Sequence, residues 1–210
     1  MEETGMNPVR RTLALVVAAA LLFVLSLALA GIGVPGYSHR LHPLALRAAA
    51  GLPWAAGFGL LAFVLPAACL LWASLRARDR LERPGWPARI GLVLAQLSAL
   101  AYGAQGLLAM QLQDPDATAN RLHALAWMLW WIAFVPTALL LDAGARRGAG
   151  FAFASVLAGL LLPVLAVLAP VGPWAGLAQR LAFALWFGWW LLAARALGRP
   201  PRVAADAALR

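Results

Sequence analysis

The sequence predicts an all-α polytopic membrane protein, a bundle of six transmembrane helices with both termini in the cytoplasm. Three observations support this prediction. Hydrophobic residues make up 63% of the 210 residues and charged residues only 12%, whereas soluble domains hold about half apolar and about a quarter charged residues. Six apolar runs are each long enough to cross about 30 Å of hydrocarbon as a helix. The arginines also concentrate in alternate segments between these runs.

The six runs occupy almost the whole chain. In order, they cover residues 12–34, 50–75, 90–112, 122–141, 150–171 and 174–197. None of them alternates apolar and polar residues with the period of two that a membrane strand requires, so each is predicted to be a helix. No length remains for a separate soluble domain, and residues 1–210 are predicted to form one membrane domain.

The arginines predict the orientation. All 17 basic residues are arginines, and with the N-terminus in the cytoplasm most of them lie in inner segments, as the positive-inside rule requires. A net charge of +9 would suggest nucleic acid in a soluble protein, but here its distribution indicates topology, and no nucleic-acid partner is expected. The inner arginines are Arg10, Arg11, Arg76, Arg78, Arg80, Arg83, Arg89, Arg146, Arg147, Arg195, Arg199, Arg202 and Arg210, and the outer ones are Arg40, Arg47, Arg121 and Arg180.

The first run also has features of a signal peptide. Arg10 and Arg11 precede it, and Ala28-Leu29-Ala30 resembles a cleavage site. The run continues to Val34, which is long for a signal peptide. A retained first helix is therefore the favoured interpretation, with cleavage as the alternative.

Polar residues that could form a functional site concentrate on the outer side. They are Ser38, His39 and His42 in the first outer loop, Asp114 and Asp116 in the second, and His123 at the start of the fourth helix. This cluster could bind a lipid headgroup, a small ligand or a partner membrane protein. Alternatively its members simply occupy the interface, with a turn at residues 114–116 and Thr118 or Asn120 as the N-cap of the fourth helix.

Zinc chemistry is a further alternative at this cluster. Three imidazoles and a carboxylate can hold zinc with one position left for a nucleophilic water. The candidate ligands of such a lipid hydrolase are His39, His42 and His123 with Asp114 or Asp116. No HExxH or comparable motif is present, so the favoured expectation is a protein without a cofactor and without catalytic activity.

The third run carries the polar residues within the membrane, namely Gln96, Ser98, Tyr102 and Gln105. The last three fall on one helical face. Hydrogen bonding between helices is the favoured role for them, and lining the path of a small-molecule transporter is the alternative. No ionisable acid or base lies in mid-span, which argues against a proton-coupled pump.

Helix packing is predicted from three further patterns. Proline inside a span frees a carbonyl that a neighbouring helix or a water must satisfy, as at Pro66, Pro136 and Pro163. Aromatic residues at helical spacing in the fourth run, around Trp127 and Trp130, are predicted to pack between helices. Small residues four apart allow close approach of helices in lipid, although a chain this rich in alanine and glycine produces several such pairs by chance. They include Ala55 with Gly59, Ala99 with Gly103, and Gly150 with Ala154 and Ala158.

Three stretches, taken together, resemble the bacterial membrane proteins of the DUF998 family. They are Gly36-Tyr37-Ser38 leading to His42-Pro43-Leu44, Gly57-Phe58-Gly59 with Phe63-Val64-Leu65-Pro66, and Asp114 followed by Leu122-His123-Ala124 and a tryptophan-rich helix. The resemblance covers residues 12–195 and implies a multi-pass protein of the bacterial cytoplasmic membrane, in a family without a defined activity. The positions that match the family's pattern are Ser38, His42, Pro43, Asp114 and His123.

A looser similarity is to the ceramidase-like membrane hydrolases, which place Ser, Asp and three His around zinc. The present chain lacks their paired histidines on a late helix. The sequence thus favours a non-enzymatic protein that contacts membrane lipids and binds a headgroup or small ligand, with a metal-dependent hydrolase and a transporter as alternatives.

Overall fold

A computed structural model describes residues 7–79, 85–145, 148–168 and 172–198, and within these ranges the chain forms six long helices and no strand. All six are long and apolar enough to cross a membrane, so the protein is an all-α six-helix bundle of the multi-pass membrane type, as predicted. The helices are α1 (Pro8–Leu29), α2 (Ala55–Arg78), α3 (Trp86–Leu107), α4 (Thr118–Ala145), α5 (Ala149–Leu168) and α6 (Ala175–Leu197).

Several helices end at positions other than those predicted, because apolar residues continue into the loops. The first helix was predicted to reach Val34 but ends at Leu29. Gly33 and Gly36 follow with φ of 72° and 73°, left-handed values that glycine adopts readily. The third helix likewise ends at Leu107, not residue 112, while the fourth extends beyond its predicted range at both ends.

Some predicted features lie outside the described residues. These are the end of the fifth run at Val171 and the inner arginines Arg80, Arg83, Arg146, Arg147, Arg199, Arg202 and Arg210.

The six helices form a closed ring in which each helix packs against the next and α6 returns to α1. The start of α1 and the end of α6 lie at the same end of the bundle, where Gly198 lies against Val9. At the opposite end, the backbone N–H of Ala50 donates to Met110 O (2.8 Å) and that of Leu177 donates to Arg40 O (3.1 Å). We call this end the loop face; it comprises residues 30–54, residues 108–117 and the first turns of α6.

Aromatic side chains fill the interior of the ring. From α6, Phe183 and Trp186 meet residues of four other helices at ring-centroid distances of 4.8–6.0 Å. The predicted packing role of the aromatic residues in the fourth helix is thus confirmed for Trp130, which is fully buried. The partners of the α6 rings are Phe23 on α1, Phe63 on α2, Tyr102 on α3 and Trp130 on α4.

The second helix contains a π-helical segment, Leu60–Val64, just before Pro66. Because proline has no N–H, a carbonyl about one turn earlier loses its helical partner. Tyr102 of α3 donates its hydroxyl hydrogen to Ala62 O at 2.8 Å. A neighbouring helix therefore satisfies the freed carbonyl, as expected from the sequence, and the bond joins α2 to α3.

Candidate functional site

The polar residues inside the membrane act mainly as links between helices. Ser98 donates to Trp130 O of α4 at 2.9 Å, and Tyr102 donates to α2. Gln105 is fully buried, with only a long bond from its Nε2 to Ala101 O of its own helix (3.5 Å) and no partner at Oε1. Gln96 Nε2 is also buried without a partner. This arrangement favours the structural interpretation of the third helix over a substrate path.

The second loop is held by its own amide and carboxylate groups. Asp114 Oδ1 accepts from the backbone N–H of Asp116 (3.1 Å), and both aspartates are exposed. Asn120 Nδ2 donates to Gln111 O (3.0 Å) and Asp114 O (2.8 Å). Asn120 is therefore not the N-cap that the sequence suggested, because α4 already begins at Thr118 and the amide instead ties the loop to the helix.

His123 has a structural position. It is 8% exposed, and its Nδ1 lies 2.9 Å from Leu108 O at the end of α3. Because a carbonyl can only accept, Nδ1 carries the hydrogen and the imidazole satisfies one of the carbonyls that a helix end leaves without a partner. His123 thus fastens α4 to the end of α3.

The first loop folds into a compact turn around His42. The backbone N–H of Ser38 donates to His42 Nδ1 and the backbone N–H of His42 donates to Ser38 O, both at 2.9 Å. Tyr37 stacks on His42 at a centroid distance of 5.6 Å and meets the edge of His39 at 5.2 Å. His39 is exposed, and partial burial and the Arg180 guanidinium both lower its pKa.

The first turns of α6 anchor this loop. Arg180 Nη1 donates to His42 O (2.9 Å) and to Gly176 O (2.7 Å), and its Nη2 donates to the Tyr37 hydroxyl. Gln179 accepts the backbone N–H of Leu44. Gly176 allows the close approach, because a Cβ there would lie 2.6–2.9 Å from three loop carbonyls.

Arg47 ties the two ends of the first loop together. It lies in a short 3₁₀ helix, Leu44–Ala48, and is 6% exposed. Nη1 donates to Pro53 O (2.8 Å) and Nη2 to Ile32 O (3.2 Å), while Nε is buried without a partner. Among the described residues, no carboxylate forms an ion pair with Arg47 or Arg180.

A cavity of about 320 Å³ lies between the two loops, a size within the usual range for small-ligand sites. Its polar lining includes Tyr37, His42 and Arg47. Its apolar lining comes from Val34, Leu46, Leu52 and Leu112. We call it the loop-face cavity. At the opposite end, a void of about 20 Å³ beside Ser74 and Trp190 has room for about one water.

The six residues predicted as one outer cluster occupy three different settings. Ser38 and His42 are in the compact turn and His39 is exposed beside it, whereas Asp114 and Asp116 lie in the second loop and His123 fastens α4. Across the described ranges, no three His, Cys, Asp or Glu side chains form a group that could hold a metal ion. The zinc set predicted from His39, His42, His123 and Asp114 is thus not assembled.

Sequence reasoning missed Tyr37, Arg47, Arg180 and Gln179 as site residues. One signal was present for the arginines, since Arg47 and Arg180 lie on the side where the positive-inside rule leaves few basic residues. Arg180 moreover falls inside an apolar run, where an ionisable side chain marks a specific role.

The sequence was also compared with protein-family models, curated proteins and solved structures, and no family model, curated protein or solved structure matches it.

Proposed function

We propose that this chain is a multi-pass protein of the bacterial cytoplasmic membrane, with both termini inside, that binds a ligand in the loop-face cavity. The arginine distribution supports the orientation, because it leaves the loop face on the outer side. The resemblance to the DUF998 family remains a prediction, and it agrees with the bacterial membrane location. The binding role is non-enzymatic.

The single observation that carries the proposal is the loop-face cavity itself. It combines leucine and valine side chains with three polar side chains that the fold holds in place. Ligand sites typically have this composition, a mainly apolar lining with a few oriented polar groups. A ligand with an apolar portion and a polar headgroup matches both the apolar and the polar side chains of this lining.

The position of the loop-face cavity supports a membrane-derived or membrane-soluble ligand. It lies at the ends of α1 to α3, where an amphipathic molecule can keep its apolar part at lipid level and its headgroup at loop level. In the part of the chain that the structure describes, aromatic side chains fill the interior of the helix ring, which favours binding at the loop face over transport through the bundle.

Filling the loop-face cavity tests the proposal. Leu46→Trp, alone or with Leu52→Trp, places an indole in the cavity and is expected to lower the amount of co-purifying ligand about tenfold, equivalent to about 1.4 kcal/mol of lost binding free energy. The measurement is mass spectrometry of small molecules extracted from protein purified in an uncharged detergent, normalised to protein.

Leu41→Trp is the matched control, because Leu41 is exposed in the same loop and does not line the cavity. Its extract is expected to equal that of the wild type. If the wild type, the cavity-filling variants and Leu41→Trp all carry the same extracted molecules in the same amounts, the loop-face cavity is not a binding site.

A further inference from the structure

The three polar side chains that line the loop-face cavity, Tyr37, His42 and Arg47, can each offer a hydrogen-bond donor. Arg47 shows this most clearly. A guanidinium has five N–H donors and no acceptor, and the Nε–H of Arg47 is buried without a partner while the side chain is more than nine-tenths buried. Burying a positive charge without a counter-charge is costly, and Arg47 lines the loop-face cavity, so a negatively charged group bound there would be stabilised.

His42 supplies a second donor for a specific reason. Its Nδ1 accepts the backbone N–H of Ser38 at 2.9 Å, so Nδ1 carries no hydrogen and the single ring hydrogen of the neutral imidazole is on Nε2. The loop geometry therefore fixes the tautomer. His42 lines the loop-face cavity with an N–H available to a ligand.

Tyr37 supplies a third donor. Its hydroxyl oxygen accepts from Arg180 Nη2, which leaves the hydroxyl's own hydrogen for another acceptor. Burial raises the pKa of this phenol more than the Arg180 charge lowers it, so the hydrogen is retained at neutral pH. Arg180 thus positions the Tyr37 hydroxyl and places a second positive charge next to it.

The charge of the surroundings agrees with this arrangement. The only carboxylates in the two loops are Asp114 and Asp116, and both are exposed without an ion pair to either buried arginine. From three donors, two buried guanidinium groups and no facing carboxylate, we infer that the loop-face cavity binds an oxyanion, a phosphate or carboxylate group carried on an apolar chain. This inference rests on the proposed function and specifies its ligand class.

Amphiphiles that share one tail test the inference. Dissociation constants for octyl phosphate, octanoate, octanol and octylamine are measured by titration calorimetry in an uncharged detergent. Because one charge-assisted hydrogen bond contributes about 1.5–3 kcal/mol, octyl phosphate or octanoate is expected to bind at least about tenfold more tightly than octanol, and octylamine more weakly still. Inorganic phosphate and dioctanoyl phosphatidic acid distinguish a free anion from a lipid headgroup as the source.

Three variants locate the binding. Arg47→Gln is expected to weaken binding of the preferred anion at least about tenfold and leave octanol unchanged. His42→Asn keeps an oxygen where Nδ1 accepts from Ser38 but removes the Nε2 donor, so it tests the donor without breaking the turn. Arg40→Gln is the control, because Arg40 is exposed in the same loop and outside the cavity lining.

The outcomes separate the two claims. If octanol binds as tightly as both anions, or if Arg40→Gln weakens anion binding as much as Arg47→Gln, the oxyanion inference is wrong while the cavity can still be a ligand site. If no amphiphile binds and filling the cavity changes no co-purifying molecule, the proposed function fails as well. If Arg47→Gln does not fold, the test rests on His42→Asn. Unchanged anion binding in folded His42→Asn would then overturn the oxyanion inference.

Discussion

Gly106→Ala is expected to separate α2 from α3 and to give a large loss of stability. A Cβ at Gly106 would overlap the backbone oxygen of Gly59 and lie 2.7 Å from Phe63 Cβ. Overpacking against rigid backbone costs about 1–3 kcal/mol and occasionally more, whereas the gain in helix propensity from glycine to alanine is about 1 kcal/mol. A net loss of about 2 kcal/mol in the free energy of unfolding follows.

Gly188→Ala is the matched control for this substitution. Gly188 lies inside α6, and a Cβ there would meet no atom within 4 Å. The same chemical change should therefore be neutral or stabilising by up to about 1 kcal/mol. Unfolding in mixed detergent micelles measures both variants, and equal stabilities would show that the α2–α3 backbone contact does not exist.

Arg180→Met is expected to weaken the attachment of the first loop to α6, although Gln179 and Leu177 keep their bonds to the loop. The side chain donates two hydrogen bonds to the loop, one to His42 O and one to the Tyr37 hydroxyl. At about 1.5 kcal/mol or more for each charge-assisted bond, their loss corresponds to about 3 kcal/mol, or roughly a hundredfold faster opening of the loop. Global stability should fall less, because removing the cation also removes the cost of burying it.

Hydrogen–deuterium exchange of residues 37–44 measures this effect directly. Amide exchange in that segment should rise in Arg180→Met and stay unchanged in α3 and α4. Arg121→Met is the control, because Arg121 is an exposed arginine at the same end of the bundle. If amide exchange at residues 37–44 is unchanged in Arg180→Met, the hydrogen bonds of Arg180 contribute nothing to holding the loop.

The helices could be predicted from the sequence because the requirement that creates them is local. A span needs a sufficient length of apolar residues, and that length can be counted. Satisfaction of the carbonyl near Pro66 was predictable for a similar reason, since proline always lacks the N–H. The sequence could not predict that Tyr102 would provide the donor, because this depends on how α2 and α3 are oriented.

Close helix packing was predicted correctly at Gly59 and Gly103, which lie against Gly106 and Ala67. At Gly150 the prediction was wrong, because a Cβ there would meet no atom within 4 Å. Spacing of small residues indicates that a close approach is possible. Whether it occurs depends on which face of the helix turns towards a neighbour.

The candidate site could be predicted only in part. Among the described residues, His42 forms no metal-binding group with Asp114 and His123, because sharing one end of the bundle does not fix which side chains meet. Arg47, in the same loop, lines the same cavity as His42, and Arg180, 138 residues away along the chain, donates to His42 O. Such long-range contacts follow from the ring closure of α6 on α1, which no local pattern encodes.

Photo-crosslinking in the intact membrane tests the central claim, binding in the loop-face cavity, most directly. Benzoylphenylalanine at Leu112, a half-exposed residue of the cavity wall, should form one predominant small-molecule adduct whose mass includes a phosphate or carboxylate group. At Leu41, exposed at the same end but outside the cavity, the adduct should be absent. No adduct at Leu112, or the same mixture of membrane lipids at both positions, would contradict the claim.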